Sequence, residues 1–191
     1  MKALILNGAT CDDRMIALVE NVIAGRLQSS GWNVARMLLK EQKIASCRGC
    51  FSCWTRSPGV CVIDDDGRRV AKAAMQCDLM VWLTPVTFGG YSSELKKALD
   101  RLIPNLLPYF TLINGEIHHV PRYEKYPDLA VVGVAQEHDA EAEQTFVRLA
   151  SRNAINSYCS AHSAGVIFPD DELRRIEMKI AVWLKTAGVS A

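Results

Sequence analysis

The chain has 191 residues, 49% of them hydrophobic and 23% charged, with a net charge of +1. That length predicts a single domain over 1–191, able to bury roughly 70% of its unfolded surface without staples. The near-neutral balance gives no ground for a nucleic-acid partner or an electrostatic membrane tether. No apolar run reaches the ~18 residues of a membrane span, and Met1 to Asn7 is too short for a signal peptide, so the expected location is cytoplasmic. Three of the seven cysteines are packed as Cys47, Cys50 and Cys53. In a reducing compartment such spacing favours metal or redox chemistry over a disulfide framework.

Lys2 to Leu6 reads as a short apolar strand ending in Asn7-Gly8-Ala9-Thr10. Asp12-Asp13 then open a helix with Ile16, Val19, Ile23 and Leu27 on one face, closed by Gly31. A strand feeding a glycine-containing turn and a helix N-terminus suits a phosphate, because unpaired amides and the positive dipole end point the same way. Thr10 and Arg14 are the side chains placed to reach such an anion. Asp12 and Asp13 suit the helix end themselves, so a self-capped helix is an equal reading. A second strand follows over Trp32 to Leu39, then Ile44 leads into a cysteine-rich loop at 46–62 with a Pro58-Gly59 turn. Asp65 or Asp66 is expected to cap a short helix through Val70, Ala73 and Ala74.

The stretch from Asp78 to Arg101 is the pivot of the chain. Leu79-Met80-Val81-Trp82-Leu83 has no polar alternation, the pattern of a strand covered on both faces of a parallel sheet. Thr84-Pro85 breaks the ladder and Gly89-Gly90 loosens the backbone. Ser92-Ser93 offer helix caps, and Leu95, Ala98, Leu99 and Leu102 repeat at helical spacing, with Glu94 and Lys97 as a surface pair. Residues of about 104–127 read as an insertion. Pro108-Tyr109-Phe110 is an exposed aromatic stretch, and Asn114-Gly115 predicts a tight hairpin. His118 and His119 would point to opposite faces of a strand and are expected at a surface or interface.

Leu129 to Ala135 and Ser163 to Phe168 complete five strands. The loop Gln136 to Asp139 and a helix carrying Phe146, Leu149 and Ile155 lie between them. Asp170-Asp171 are expected to cap a final helix with Leu173, Ile176, Ile180 and Leu184 inward. Strict alternation with right-handed crossovers predicts a flavodoxin-like, doubly wound, three-layer α/β/α domain with a five-stranded parallel sheet ordered 2-1-3-4-5. In that order the turns Asn7 to Arg14, Thr84 to Ser93 and Gln136 to Asp139 meet at one crevice. A phosphate would sit on the first helix and a flat ring against the second loop.

Cys47-x2-Cys50-x2-Cys53-x7-Cys61, the Asp64 to Asp66 run, and Thr84-Pro85-Val86 with Phe88, Ser92 and Leu95-Lys96 resemble the flavodoxin-like NAD(P)H-dependent FMN reductases, and within them the iron–sulfur flavoproteins. The likeness runs from Met1 to about Arg101. It implies an FMN held through Asn7, Gly8, Ala9, Thr10 and Arg14 at its phosphate and through Pro85, Val86, Thr87, Phe88, Gly89 and Ser92 at its ring. NAD(P)H would be the co-substrate, and a small molecule or a protein the electron acceptor. Family members are commonly homodimers or homotetramers that close the flavin site across an interface. The first loop has fewer hydroxyls than the family pattern and carries two acids, Asp12 and Asp13, and Thr87 stands where an aromatic often follows Pro-Val. Ring contact would then fall to Phe88 or Tyr91. No residue stands out as a catalytic acid or base, since hydride transfer to a flavin requires none.

For the cysteine loop, a four-iron four-sulfur cluster on Cys47, Cys50, Cys53 and Cys61 matches the compact spacing of iron–sulfur flavoproteins. Free thiols remain an equal reading, and zinc a lesser one, because structural zinc sites favour two separated pairs. Cys11, Cys77 and Cys159 read as small core or turn residues. Two other functions stay open: an electron-transfer protein with no nicotinamide reaction of its own, and a cofactor-free thiol-sensing or binding module.

Overall fold

The computed structural model describes residues 1–190, so the last residue of the expected domain lies outside the description. Its elements are β1 (Lys2–Asn7), α1 (Arg14–Ser29), β2 (Asn33–Leu38), α2 (Ser52–Thr55), α3 (Asp66–Met75), β3 (Leu79–Pro85), α4 (Ser93–Asp100), β4 (Leu106–Ile113), β5 (Glu116–Pro121), β6 (Asp128–Val134), α5 (Ala140–Asn156), β7 (His162–Ile167) and α6 (Leu173–Thr186). Five strands form one parallel sheet in the order β2-β1-β3-β6-β7. With β4 and β5 set aside as a separate antiparallel ribbon, this is the predicted 2-1-3-4-5 order.

The sheet divides two apolar layers because successive strand residues point to opposite faces. On β3, Leu79, Val81 and Leu83 join Ile16, Val19, Ile23 and Leu27 of α1 and Ile176, Ile180 and Leu184 of α6. Met80 and Trp82 face the other way, toward Val70 of α3, Leu95 of α4 and Phe146 of α5. The sheet is therefore covered on both sides, which is why β3 and β6 carry unbroken apolar runs.

Ser92 caps α4 and Asp65 caps α3 through side-chain bonds to backbone amides, and Glu94 pairs with Lys97 at 2.9 Å. The Asn114-Gly115 turn has positive φ at both residues, 50° and 83°, as a primed hairpin turn requires. Three local expectations need correction. Glu172, not an aspartate, precedes α6, and Leu173 is about half exposed. Asp171 instead accepts from the Phe168 amide and pairs with Lys179, so it fixes the loop before the helix. In α5 the buried face is Phe146, Ala150 and Ala154, with Leu149 and Ile155 at its margins.

The ribbon corrects a further expectation. His118 is buried, and its ring bonds to Asn156 of α5 and approaches Glu116. The ribbon is thus tied down on α5, with Arg152 also pairing Glu116. Its residues Tyr109, Phe110, Leu112 and Ile117 are each about two-thirds exposed or more.

Candidate functional site

β1 and β3 are neighbours in register, Asn7 beside Leu83, so the turns that follow leave the same sheet edge together. The Gly8 amide donates to the Leu83 carbonyl at 2.7 Å, and the Ser92 hydroxyl donates to the Gly8 carbonyl at 2.5 Å. Gly8 is required by closeness: a Cβ there would lie 2.8 Å from Leu95 Cβ and 2.9 Å from Ser92 Oγ. The third turn is joined through the second. The Val86 amide donates to Val134 at the end of β6, and Gly89 lies against Thr145 and Ala142 of α5. The carboxyl edge therefore brings Asn7, Gly8, Ala9, Pro85, Val86, Gly89 and Ser92 into one region.

The two loops differ in character. Ala9 and Asn7 are buried, the Asn7 side chain accepting from the Ala9 amide and donating to Glu20. Thr10, Cys11 and Asp12 are exposed, and among the described residues their amides have no intramolecular partner. Arg14 is exposed at the start of α1. The anion-attracting first turn of α1 is partly filled from within: Asp13 Oδ1 accepts from the amides of Met15 and Ile16 at 2.8 and 3.1 Å. Asp12 pairs with Lys40 at 2.5 Å, which holds the Asp12 carboxyl below and the Lys40 ammonium above their ordinary values. The self-capped helix and the open amide turn are thus both present, one residue apart.

In the second loop, Thr87 and Gly90 exchange backbone hydrogen bonds around Phe88 and Gly89, whose φ values are 49° and 71°. This is a two-residue primed turn, and Phe88 occupies a left-handed conformation costing a side-chain-bearing residue about 1–2 kcal/mol. Its ring is fully exposed, at 104% of the reference area. A strained, unburied aromatic at the mouth of a ligand edge is the pattern of a binding residue. Tyr91 is not available for that role. It is wedged edge-on between Trp82 and Phe146 with its hydroxyl bonded to Asn153, and burial pushes its pKa up to about 12.

The four cysteines of the loop at 46–62 line one hollow of about 290 Å³ together with Arg101 and Ile103. Cys47 and Cys50 are exposed, Cys61 is half-buried and Cys53 is buried on α2. The Ser52 amide and hydroxyl at the head of α2 lower the Cys50 pKa. Burial raises that of Cys53, with Cys61, Cys47 and Cys50 adding to it, so the four sulfurs share one electrostatic neighbourhood. Among the described residues no three thiol, imidazole or carboxylate groups converge tightly enough for a single metal ion.

Arg101 is the residue that sequence reasoning missed. It is 1% exposed, bonds to both oxygens of Asp65 and to the carbonyls of Ala45 and Ile63, and so ties α4 to both ends of the cysteine loop. Its position at a helix end gave no signal of burial.

A sequence profile described as NADPH-dependent FMN reductase matches residues 1–110. An iron–sulfur flavoprotein of Archaeoglobus fulgidus is 32% identical over 101 residues, covering 53% of this chain and 48% of its own. One from Methanocaldococcus jannaschii is 27% identical over 104 residues, covering 54% and 53%. The chain spans about half the length of the curated relatives it matches. Among solved structures, an NAD(P)H:quinone oxidoreductase from Methanothermobacter marburgensis has a TM-score of 0.69 at 13% identity, over 94% of this chain and 93% of its own. An azoreductase from Bacillus anthracis has 0.67 at 10%, over 97% and 98%, and at such identities the likeness speaks to the fold. With more than half its length matched, on the segment that carries both turns and the cysteine loop, the chain belongs to the NADPH-dependent FMN reductase family.

Proposed function

We propose that the chain is an FMN-dependent oxidoreductase that takes electrons from NAD(P)H and passes them to a small-molecule or protein acceptor, with a four-iron four-sulfur cluster in the cysteine hollow as a one-electron station. The observation that carries this reading is the stitching of the two carboxyl-edge turns through Gly8, Leu83 and Ser92. It holds a phosphate turn and a ring loop at fixed separation, which is what a planar phosphorylated cofactor needs.

Bound FMN would supply the redox chemistry, accepting a hydride from the nicotinamide and giving up electrons in pairs or singly. The protein's part is to bind and orient. The free amides of Thr10, Cys11 and Asp12 receive the phosphate, with Thr10 and Arg14 beside them, and the α1 amides held by Asp13 do not take part. The edge formed by Pro85, Val86 and Thr87 lies along the ring, and Phe88 covers it or the nicotinamide stacked on it. Cys47, Cys50, Cys53 and Cys61 would hold the cluster, and Arg101, bound to Asp65 and to the carbonyls of Ala45 and Ile63, would hold the ends of the loop that carries them. The family likeness and the names of the relatives support both cofactors.

Asp13 favours one competing reading, a cofactor-free module, because its carboxylate sits on two amides that an anion would seek. Anaerobic mixing of the FMN-loaded chain with NADPH or NADH separates the readings. Loss of oxidised-flavin absorbance at the rate of nucleotide consumption is expected. A chain that retains flavin but is inert to both nucleotides would instead be an electron relay. Iron and sulfide assays on anaerobically purified protein test the cluster, with four of each per chain expected.

A further inference from the structure

We infer that the face of the β4–β5 ribbon turned away from α5 is an interface, and that its occupant is the same face of a second copy of this chain. The register sorts the ribbon's side chains. Phe110 lies opposite His119 and Leu112 opposite Ile117, and residues opposite one another in an antiparallel pair share a face. Thr111, His118, Ile113 and Glu116 form the other face, which is seated on α5 through His118 with Asn156 and Glu116 with Arg152. Phe110, Leu112 and Ile117 are left 68%, 71% and 71% exposed.

The apolar face does not stop at the ribbon. The His119 ring lies 4.7 Å from Phe110 and 4.8 Å from Trp54, and Trp54 is stacked on the half-exposed Phe51 at 5.1 Å. The Trp54 indole is fixed in that row by its hydrogen bond to the Leu106 carbonyl. Phe51, Phe110, Leu112 and Ile117 together leave on the order of 500 Å² open, near the top of the range for the largest patch on a monomer. A standard interface takes roughly 800 Å² from each partner, so these four match its apolar core, with the rim drawn from the residues around them.

Charge selects the occupant. No charged residue stands between Leu102 and Gly115, and the ribbon's one carboxylate, Glu116, is turned to the other face and paired with Arg152. The face thus holds nothing to attract an acidic or a basic partner, while two copies meet on it with no like charges opposed. Geometry selects the same occupant. A two-fold axis lying along the face stacks one ribbon on the other about 10 Å apart, as in a β-sandwich, so that the Leu112 and Ile117 side chains of the two copies interdigitate. The ribbon sits on the last turns of α5, whereas the first turn of that helix packs on Gly89 at the flavin crevice. The contact is therefore separate from the crevice and does not depend on the flavin reading.

The test uses the purified full chain in analytical ultracentrifugation and hydroxyl-radical footprinting. The wild type is expected at the mass of two chains or an even multiple. Leu112→Glu, which places a carboxylate in the middle of the contact, is expected at half that mass, with association weakened about 100-fold or more and circular dichroism unchanged. Ile117→Lys, on the neighbouring strand, is the second variant should Leu112→Glu not fold. Footprinting reads the surface on the wild type itself: oxidation of Phe110, Leu112 and Ile117 is expected to fall several-fold as the chain associates. A single-chain mass for the wild type at every concentration, which leaves the face to another kind of partner, would overturn the proposal. So would a folded variant that keeps the wild-type mass, or an assembly that leaves oxidation of the ribbon unchanged.

Discussion

At the scale of single residues, the strongest constraint on cofactor binding is Asp13. Its carboxylate satisfies two amides at the head of α1 and also places a negative charge beside the turn proposed to hold a phosphate. Asp13→Asn keeps an acceptor for the cap and removes the charge. The expected result is FMN affinity tightened about two- to five-fold, the equivalent of roughly 0.3–1 kcal/mol for one charge near a helix end, read by fluorescence titration. The thiols supply a second prediction. The Cys50 pKa is lowered by the Ser52 amide and that of Cys53 is raised by burial. Since thiolates are the nucleophiles, Cys50 should alkylate before Cys53 as pH is raised. Timed iodoacetamide labelling of cluster-free protein with peptide mass mapping reads that order directly. Neither feature follows from spacing, which places cysteines along the chain but not at the head or buried side of a helix.

At the scale of elements, α4 is the beam between the two candidate cofactor regions. Its cap Ser92 also donates to the Gly8 carbonyl, and Arg101 just past its last turn anchors the cysteine loop. Ser92→Ala removes a cap and leaves a buried carbonyl short of a donor, a loss of about 2 kcal/mol in urea unfolding, with weaker FMN binding besides. At the other end, burial raises Asp65, but the Arg101 guanidinium and the amides of Ala45 and Gly67 outweigh it and hold the carboxyl below its ordinary value. A carboxyl lowered in the folded state stabilises above its unfolded pKa, about 3.9, and that contribution is lost as pH falls through the folded value. Wild type should therefore lose stability below about pH 4 more steeply than Asp65→Asn. At neutral pH that variant should already be destabilised by about 3–5 kcal/mol, because Arg101 is left buried and unpaired. Urea midpoints across pH 3 to 7 check both statements.

At the scale of the whole molecule, the fold was legible because its signals are local and repeated. Leu79 to Leu83 and Leu129 to Val134 are apolar without alternation, which only a two-sided sheet explains, and strand–helix alternation with right-handed crossovers leaves few strand orders. The gathering of the turns at one edge followed from that order. What stayed hidden depends on long-range placement. The burial of His118 against Asn156 and of Arg101 against Asp65 joins residues 38 and 36 positions apart, and no periodicity reports such pairs. The primed turn at Phe88 was hidden for a different reason: its signal is Gly89 at the second central position, and a phenylalanine at the first argues against it. The ribbon was readable from Asn114-Gly115, but not its seat on α5.

The central claim is that the stitched turns after β1 and β3 form one flavin site. Titration of FMN into purified apoprotein, for wild type and Gly8→Val side by side, tests it most directly, because a side chain at Gly8 must push Ser92 and Leu95 away. The account predicts saturable quenching at one FMN per wild-type chain and a loss of affinity of about ten-fold or more in a folded Gly8→Val variant, on the scale of 1.4 kcal/mol per decade. Absence of saturable quenching by wild type, or unchanged affinity in the folded variant, would contradict it.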